Sequence, residues 1–232
     1  MIKAYLHTED AILAITVELE HLDSIDTTSL VWLDMISPTP DESIAVERAL
    51  KLELPTRQES EEIEYSSRYW EDEGGIWINT SFLVKDQGKI NSETVSFILK
   101  DSFLTTIRFS EHRLFTEFSR KLRLTPRAFH SGGEVLSGIL AMRVDIDADL
   151  IEHLSKEIVT IGRKDSHSFH EPSEFLEYIT SYEDLNITFR ENLTDKQRVI
   201  SSLLKRRCSL KRIVVRKESF RMNDTVSLLI FP

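Results

Sequence analysis

The 232-residue sequence has a single cysteine, Cys208, which excludes an intrachain disulfide and is typical of a reducing compartment such as the cytoplasm. It has no apolar run long enough to cross a bilayer, and its first residues lack the hydrophobic segment and cleavage pattern of a signal peptide. An excess of positive charge is also missing: the formal net charge is −10, which argues against a general nucleic-acid-binding protein. These absences predict a soluble cytoplasmic protein with no nucleic-acid partner.

Motifs for nucleotide binding and catalysis are absent as well. Gly74-Gly75 and Gly132-Gly133 belong to neither a GxGxxG nor a Walker pattern. His167 and His170 have a spacing that could hold zinc, but no HExxH and no paired CxxC accompanies them. Cys208 has no evident base partner in the sequence. We therefore expect a protein that is not an enzyme, with a metal-dependent hydrolase as an alternative that no motif supports.

The first part of the chain mixes predicted strands and helices. Short apolar segments bounded by turn residues predict strands at 2–6, 13–19, 30–36, 76–84, 94–99 and 103–109. The last three are separated by short polar turns, which favours antiparallel hairpins. Helices are predicted at 41–50 and 111–122, and Thr56 followed by Glu59 has the capping-box pattern of a helix start. This part of the sequence indicates an α/β body.

From Gly133 onward the apolar residues follow a helical period instead. The period predicts one helix through Arg163, roughly 45 Å long at 1.5 Å per residue, and a second that restarts at Pro172 and Ser173. Two long amphipathic helices joined by a short loop predict an antiparallel helical hairpin. The predicted organisation is a body over 1–130, a helical arm over 131–205 and an atypical basic tail over 206–232.

Three aspartates lie together in the first long helix, at Asp145, Asp147 and Asp149. Asp147 interrupts the apolar seam, whereas Asp145 and Asp149 share another face at i and i+4, where like charges repel. The run is not an EF-hand, because Leu150 stands where glycine is needed and Lys156 where a bidentate glutamate is needed. Two interpretations stay open: a solvated acidic face, or a subunit interface whose carboxylates and waters hold a hard divalent ion.

Several stretches of the sequence, taken in their order and combination, resemble those of a known protein family. They are Trp32-Leu-Asp34 with Pro38 and Glu42, then 54–57 leading through 61–64 to 66–69, then 93–99, 103–108 and 144–152. Together they resemble the cytoplasmic N-terminal domain of the CorA family of divalent metal-ion transporters, which includes the zinc-transporting ZntB branch. The likeness spans roughly residues 1–205.

The resemblance implies an α/β/α sandwich with a mixed sheet, followed by a long antiparallel helical hairpin. It also implies a homopentamer beneath a membrane pore, with Mg²⁺, or Co²⁺ or Zn²⁺, bound as a regulatory ion between neighbouring domains. The best-matching positions are Asp145 and, as a looser match, Asp86 after the strand that ends at Val84. Asp147 and Asp149 complete the set of candidate metal ligands.

The sequence also departs from that family. Its members continue into a stalk helix and two membrane helices with a Gly-Met-Asn motif, and neither feature occurs here, so we hypothesise a truncated or frame-altered product. The expected function is a regulatory domain that senses intracellular divalent ions at the cytoplasmic face of the membrane and is not a pore by itself. The alternative is a free-standing soluble α/β interaction protein that binds a partner through its helical arm.

Overall fold

The computed structural model describes residues 1–62, 68–72, 75–86, 89–162 and 172–205. Seven strands occur in these ranges: β1 (Ile2–His7), β2 (Ile12–Val17), β3 (Leu30–Ile36), β4 (Tyr69–Asp72), β5 (Gly75–Asp86), β6 (Lys89–Lys100) and β7 (Phe103–Arg108). The α-helices are α1 (Pro40–Leu50), α2 (Arg57–Glu62), α3 (Arg113–Leu124), α4 (Gly132–Gly162) and α5 (Pro172–Lys205). Leu19–Ser24 and Pro126–Ala128 form short 3₁₀ helices.

The strands form one mixed sheet in the order β2-β1-β3-β7-β6-β5-β4. Strands β3 and β7 are parallel, and every other neighbouring pair is antiparallel. The longest pairing joins β5 to β6, from Gly75 opposite Lys100 to Asp86 opposite Lys89. The predicted antiparallel hairpins in this part of the chain are therefore confirmed.

Both faces of the sheet are covered by helices, as the alternation of side chains along β6 shows. Phe97 and Leu99 belong to one buried cluster and Ile98, between them, belongs to the other. The first cluster includes residues of α3, α4 and α5, and the second includes Val46 and Leu50 of α1. The predicted α/β/α sandwich with a mixed sheet is confirmed.

Helix α4 begins in direct contact with the sheet. The Gly132 N–H donates to the Ser102 carbonyl oxygen at 2.5 Å, and a Cβ at Gly132 would collide with the backbone of Phe103 and Leu104. Val135, Leu136, Ile139 and Leu140 of α4 are buried in the core. The first part of the predicted arm therefore lies inside the body.

Helices α4 and α5 run in opposite directions over the same side of the sheet, as the predicted hairpin requires. Helix α4 starts at the β6–β7 turn, which lies beside the first residues of β5, and reaches Leu83 with Arg143. Helix α5 contacts Ser81 through Asn192 and then packs Val199 into the cluster that contains Ile76. No helix in the described residues combines the length and apolar character needed to cross a membrane.

Several predicted boundaries are right and others need correction. The predicted strand at Leu30–Ile36 matches β3, and Glu59 accepts a hydrogen bond from the backbone N–H of Thr56 at 2.8 Å, as a capping box requires. The predicted strand over 13–19 is too long, because a 3₁₀ helix begins at Leu19. Strand β4 was not predicted, and its Trp70 is 36% exposed and stacks on Trp77.

Some features of the sequence lie outside the described residues. They are the His167/His170 pair, Cys208 and the predicted basic tail over 206–232. Their predictions stay predictions.

Candidate functional site

The three aspartates of α4 lie on two sides of the helix. Asp145 and Asp149 are exposed, whereas Asp147 is only 2% exposed. Consecutive residues of an α-helix are turned by about 100°, so a residue two positions away points to nearly the opposite side. The structure therefore separates the predicted ligand set into one inward carboxylate and two outward ones, one turn apart.

The inward carboxylate, Asp147, forms ion pairs with two buried cations. Arg143, one turn earlier on α4, donates from Nε to Asp147 Oδ1 at 2.9 Å and also contacts that oxygen through Nη2. Lys196 of α5 places its Nζ 3.3 Å from Asp147 Oδ2. Arg143 also donates from Nη1 to the Leu83 carbonyl oxygen at 3.0 Å, which ties α4 to β5.

Helix α5 is attached to the same part of β5 by polar side chains. Lys196 Nζ and Asn192 Nδ2 both donate to the Ser81 carbonyl oxygen, at 2.9 and 2.7 Å. Lys196 also contacts the Asn192 amide oxygen. The two long helices are thus joined to each other and to the sheet at a single level.

A second buried carboxylate, Asp195, extends this cluster. Its Oδ2 accepts from the Thr80 hydroxyl at 2.8 Å and from the Ser81 N–H at 3.1 Å. Its Oδ1 lies 3.2 Å from Nε of Arg68, whose Nη1 donates to the Ser81 hydroxyl at 2.9 Å. We call the five charged side chains Arg68, Arg143, Asp147, Asp195 and Lys196 the helix-anchoring cluster.

Burial controls the protonation of Lys196. Desolvation lowers the pKa of Lys196 to about 8; the Asp147 carboxylate opposes this decrease and the Arg143 guanidinium adds to it. Both cations lie near the Phe82 ring, whose centroid is 5.3 Å from Arg143 Cζ and 5.7 Å from Lys196 Nζ. The ring face offers the cations some compensation for lost water.

The helix-anchoring cluster changes what can be expected of Asp147. A buried carboxylate with two cationic partners is a poor ligand for a third cation, since the guanidinium and ammonium groups would repel the ion. Within the described ranges, no group of three or more His, Cys, Asp or Glu side chains comes together to hold a metal. The exposed Asp145 and Asp149 stay the candidate ligands of α4.

Asp86 is the last residue of β5, opposite Lys89 of β6. The predicted end of this strand, at Val84, was therefore two residues too early, and Asp86 lies within the strand and not after it. Helix α4 reaches β5 through the Arg143 side chain, which donates to the Leu83 carbonyl oxygen three residues before Asp86.

Another buried ion pair lies between β3 and β7. Arg108 donates to both carboxylate oxygens of Asp34, from Nε at 3.2 Å and from Nη2 at 2.9 Å, and the Thr106 hydroxyl donates at 2.8 Å. Trp32 Nε1 donates to that hydroxyl at 3.0 Å. The Trp32-Leu-Asp34 motif thus holds the parallel strand pair together. A charged residue inside an apolar strand signals such a partner, although it does not identify Arg108.

A Ser–His–Glu group is also present, and its geometry is not that of a hydrolase triad. Ser110 Oγ lies 3.3 Å from His112 Nε2 and Glu93 Oε2 lies 3.4 Å from the same nitrogen. A triad needs the acid on the other ring nitrogen, where it orients the base. Burial lowers the pKa of His112 to about 4, so the imidazole is neutral near pH 7.

Comparison with known proteins adds sequence relatives. The family model described as CorA-like Mg²⁺ transporter protein matches residues 27–226. The magnesium transport protein CorA of Wolinella succinogenes is 37% identical over 184 residues, which are 77% of this chain and 57% of that protein. The CorA protein of Campylobacter jejuni strain RM1221 is 35% identical over 191 residues, 76% of this chain and 58% of that protein. The chain spans less than three fifths of the length of these relatives.

Solved structures share the fold. The soluble domain of CorA from Methanocaldococcus jannaschii superposes with a TM-score of 0.70 at 18% identity, covering 99% of this chain and 88% of that one. The ZntB cytoplasmic domain from Vibrio parahaemolyticus gives a TM-score of 0.66 at 14% identity, covering 98% and 91%. The α/β/α sandwich and its long helices are common to all three.

Proposed function

Since the chain belongs to the family of CorA-like Mg²⁺ transporter proteins, we propose that it is a regulatory domain of such a transporter and senses divalent ions on the cytoplasmic side of the membrane. One observation carries the proposal, the division of α4 into an inward and an outward side. The ion pairs of Asp147 fix the rotation of the helix, so Asp145 and Asp149 are held outward, one turn apart. Their mutual repulsion favours a cation beside them.

The ligand chemistry supports Mg²⁺, with Co²⁺ or Zn²⁺ as alternatives. Mg²⁺ prefers carboxylate oxygens and keeps several of its waters, so one or two carboxylates per chain are enough to hold it. We propose that a second copy of the chain supplies the remaining carboxylate, with Asp86, the last residue of β5, as the candidate. The site would be shared between copies of a homopentamer.

The proposed mechanism is electrostatic. Carboxylates of neighbouring copies about 4 Å apart repel by about 1 kcal/mol in water and about 4 kcal/mol at a partly desolvated interface. A bound divalent ion reverses the sign of this interaction and holds the ring of domains closed. When the ion concentration falls, the ion dissociates and the open arrangement gains population, because only the closed arrangement binds the ion tightly. Ion conduction is proposed for the full-length assembly.

The test is ion-dependent stability. Thermal unfolding is measured with and without millimolar Mg²⁺ or Co²⁺, and sedimentation velocity gives the oligomeric state of the same samples. We expect the ions to raise the Tm and to favour assembly, by mass action. The double variant Asp145→Asn/Asp149→Asn should lose both effects. Asp184→Asn, an equal charge change at an exposed position of α5, should keep them.

An ion response that survives in the double variant, or that is absent from the unmodified chain, would contradict the proposal. In the second case an interaction protein becomes the better interpretation. Exposed apolar side chains on α5 favour that alternative, since Leu176 is 63% exposed and Ile187 is 56% exposed. The partner would then dock on the helical arm without any requirement for a divalent ion.

A further inference from the structure

Two histidines from distant parts of the sequence meet at one end of the sheet. His7 is the last residue of β1, and His130 lies two residues before the start of α4. Their ring centroids are 4.7 Å apart and their ring planes are inclined by 48°. The contact thus joins the end of β1 to the entry of α4, away from the aspartates discussed above.

The backbone holds both histidines firmly. The His7 N–H donates to the Ser29 carbonyl oxygen at 2.7 Å, and His7 pairs with Ile12 in the sheet. The His130 N–H donates to Glu134 Oε2 at 2.6 Å, and the Ser131 N–H donates to the same oxygen at 3.1 Å. These bonds fix the backbone of both segments, so only the exposed His130 side chain needs to turn for the two imidazoles to share a ligand.

One ring nitrogen in this pair has unsatisfied bonding capacity. His7 Nε2 is inaccessible to solvent and has no hydrogen-bond partner among the described residues. A buried polar atom left in this state destabilises the folded protein, and a ligand that bonds to it would relieve that cost. A neutral imidazole that carries its proton on Nδ1 has a lone pair on Nε2, and this lone pair can coordinate a metal ion.

The second imidazole lies at a distance that suits a shared ion. Two imidazoles bound to one tetrahedral ion, each with its nitrogen about 2.0–2.1 Å from the metal, have ring centres roughly 5 Å apart. The observed 4.7 Å is close to that value. The Glu134 carboxylate in the same turn adds negative charge to the neighbourhood.

We propose that His7 and His130 form a two-histidine binding site for a borderline divalent transition-metal ion such as Ni²⁺ or Zn²⁺, with water completing the coordination. Imidazole nitrogen suits these metals, whereas Mg²⁺ prefers oxygen. The site therefore differs in ligand chemistry and location from the carboxylates of α4. A bound ion would fasten β1 to the start of α4.

The test uses Ni²⁺ alone as the probe. The reference protein is the full chain carrying His167→Gln and His170→Gln, because those two histidines could bind Ni²⁺ on their own. Isothermal titration at pH 7.5, where free imidazoles are mostly neutral, gives stoichiometry and affinity. We expect one Ni²⁺ per chain, a rise in Tm on binding, and no competition from millimolar Mg²⁺.

Variants of the two histidines decide the outcome. His130→Gln changes an exposed side chain and should fold normally, and it should weaken Ni²⁺ binding by about tenfold or more, as should His7→Gln. His21→Gln, another exposed histidine, should leave the affinity unchanged. If His7→Gln does not fold, His130→Gln alone decides. Unchanged Ni²⁺ affinity in His130→Gln, or competition by Mg²⁺ at equal concentration, would overturn the proposal.

Discussion

The inner and outer sides of α4 both carry aspartates, but the electrostatic surroundings of these carboxylates differ. On the inner side Asp147 is buried and neutralised by Arg143 and Lys196. On the outer side Asp145 and Asp149 are exposed and repel each other. Each outer aspartate is only two positions from the inner one in the sequence.

The difference shows that a carboxylate's role follows from its side of the helix and not from its place in an acidic run. The inner carboxylate fastens α4 and α5 to β5, so its contribution is to folding. The outer pair contributes little to folding and is accessible to an ion. Substitutions that act on one side and not on the other test this division directly.

The largest effect is expected for Asp147→Asn. The amide keeps the shape of the side chain but leaves Arg143 and Lys196 buried without their shared counter-ion. Removing one partner from a buried ionic cluster typically costs about 3–5 kcal/mol of unfolding free energy. Urea unfolding at pH 7 measures the loss.

Asp145→Asn is the matched control for that experiment. It makes the same chemical change on the outer side of the same helix and should alter the unfolding free energy by no more than about 0.5 kcal/mol. Equal losses in the two variants would show that the two sides of α4 do not differ as described.

A smaller, pH-dependent effect is expected from Lys196. Its pKa is about 8 in the folded protein and 10.5 in the unfolded chain, so between these values the unfolded state binds more protons. The free energy of unfolding therefore rises with pH in this window, by at most about 1.4 kcal/mol per pH unit for one proton. Lys196→Met should remove this contribution, which urea unfolding between pH 7.5 and 9.5 can detect.

The comparison with Lys196→Met separates the titration of Lys196 from the titration of other groups. Burial raises the pKa of Tyr5, so tyrosine ionisation lowers stability toward high pH in both proteins and cancels in the difference. Parallel pH profiles for the two proteins would mean that Lys196 keeps its ordinary pKa, and the ammonium would then not be desolvated as its burial indicates.

Much of the fold could be predicted from the sequence because the deciding signals are local. Strand β3 has the predicted bounds, and α4 and α5 follow from the helical period and from Pro172. Strand β4 could not be predicted, since Tyr69–Asp72 has two acidic residues in four and is an edge strand stabilised by pairing with β5. Such pairing is a long-range property that a local pattern does not contain.

The candidate site was predictable in part. Asp147 interrupts the apolar seam of α4, and that position already indicated an inward side chain, yet its acidic neighbours suggested a metal ligand. The partner that decides the matter, Lys196, is 49 residues away in the sequence on a different helix. The spacing of Asp145 and Asp149 indicated their shared outer face, because i and i+4 proximity is local.

The smallest effect, expected for Asp149→Asn, tests the outer side alone. Without divalent ions and at low salt, the variant relieves the repulsion between Asp145 and Asp149, so its unfolding free energy should exceed that of the unmodified chain by about 0.2–0.5 kcal/mol. Millimolar Mg²⁺ should reverse the order, because only the unmodified chain keeps both carboxylates for the ion and gains stability by mass action. Urea unfolding with and without Mg²⁺ measures both differences. If the variant stays the more stable protein at every Mg²⁺ concentration, the outer side is a solvated acidic surface and the proposed sensing role loses its physical basis.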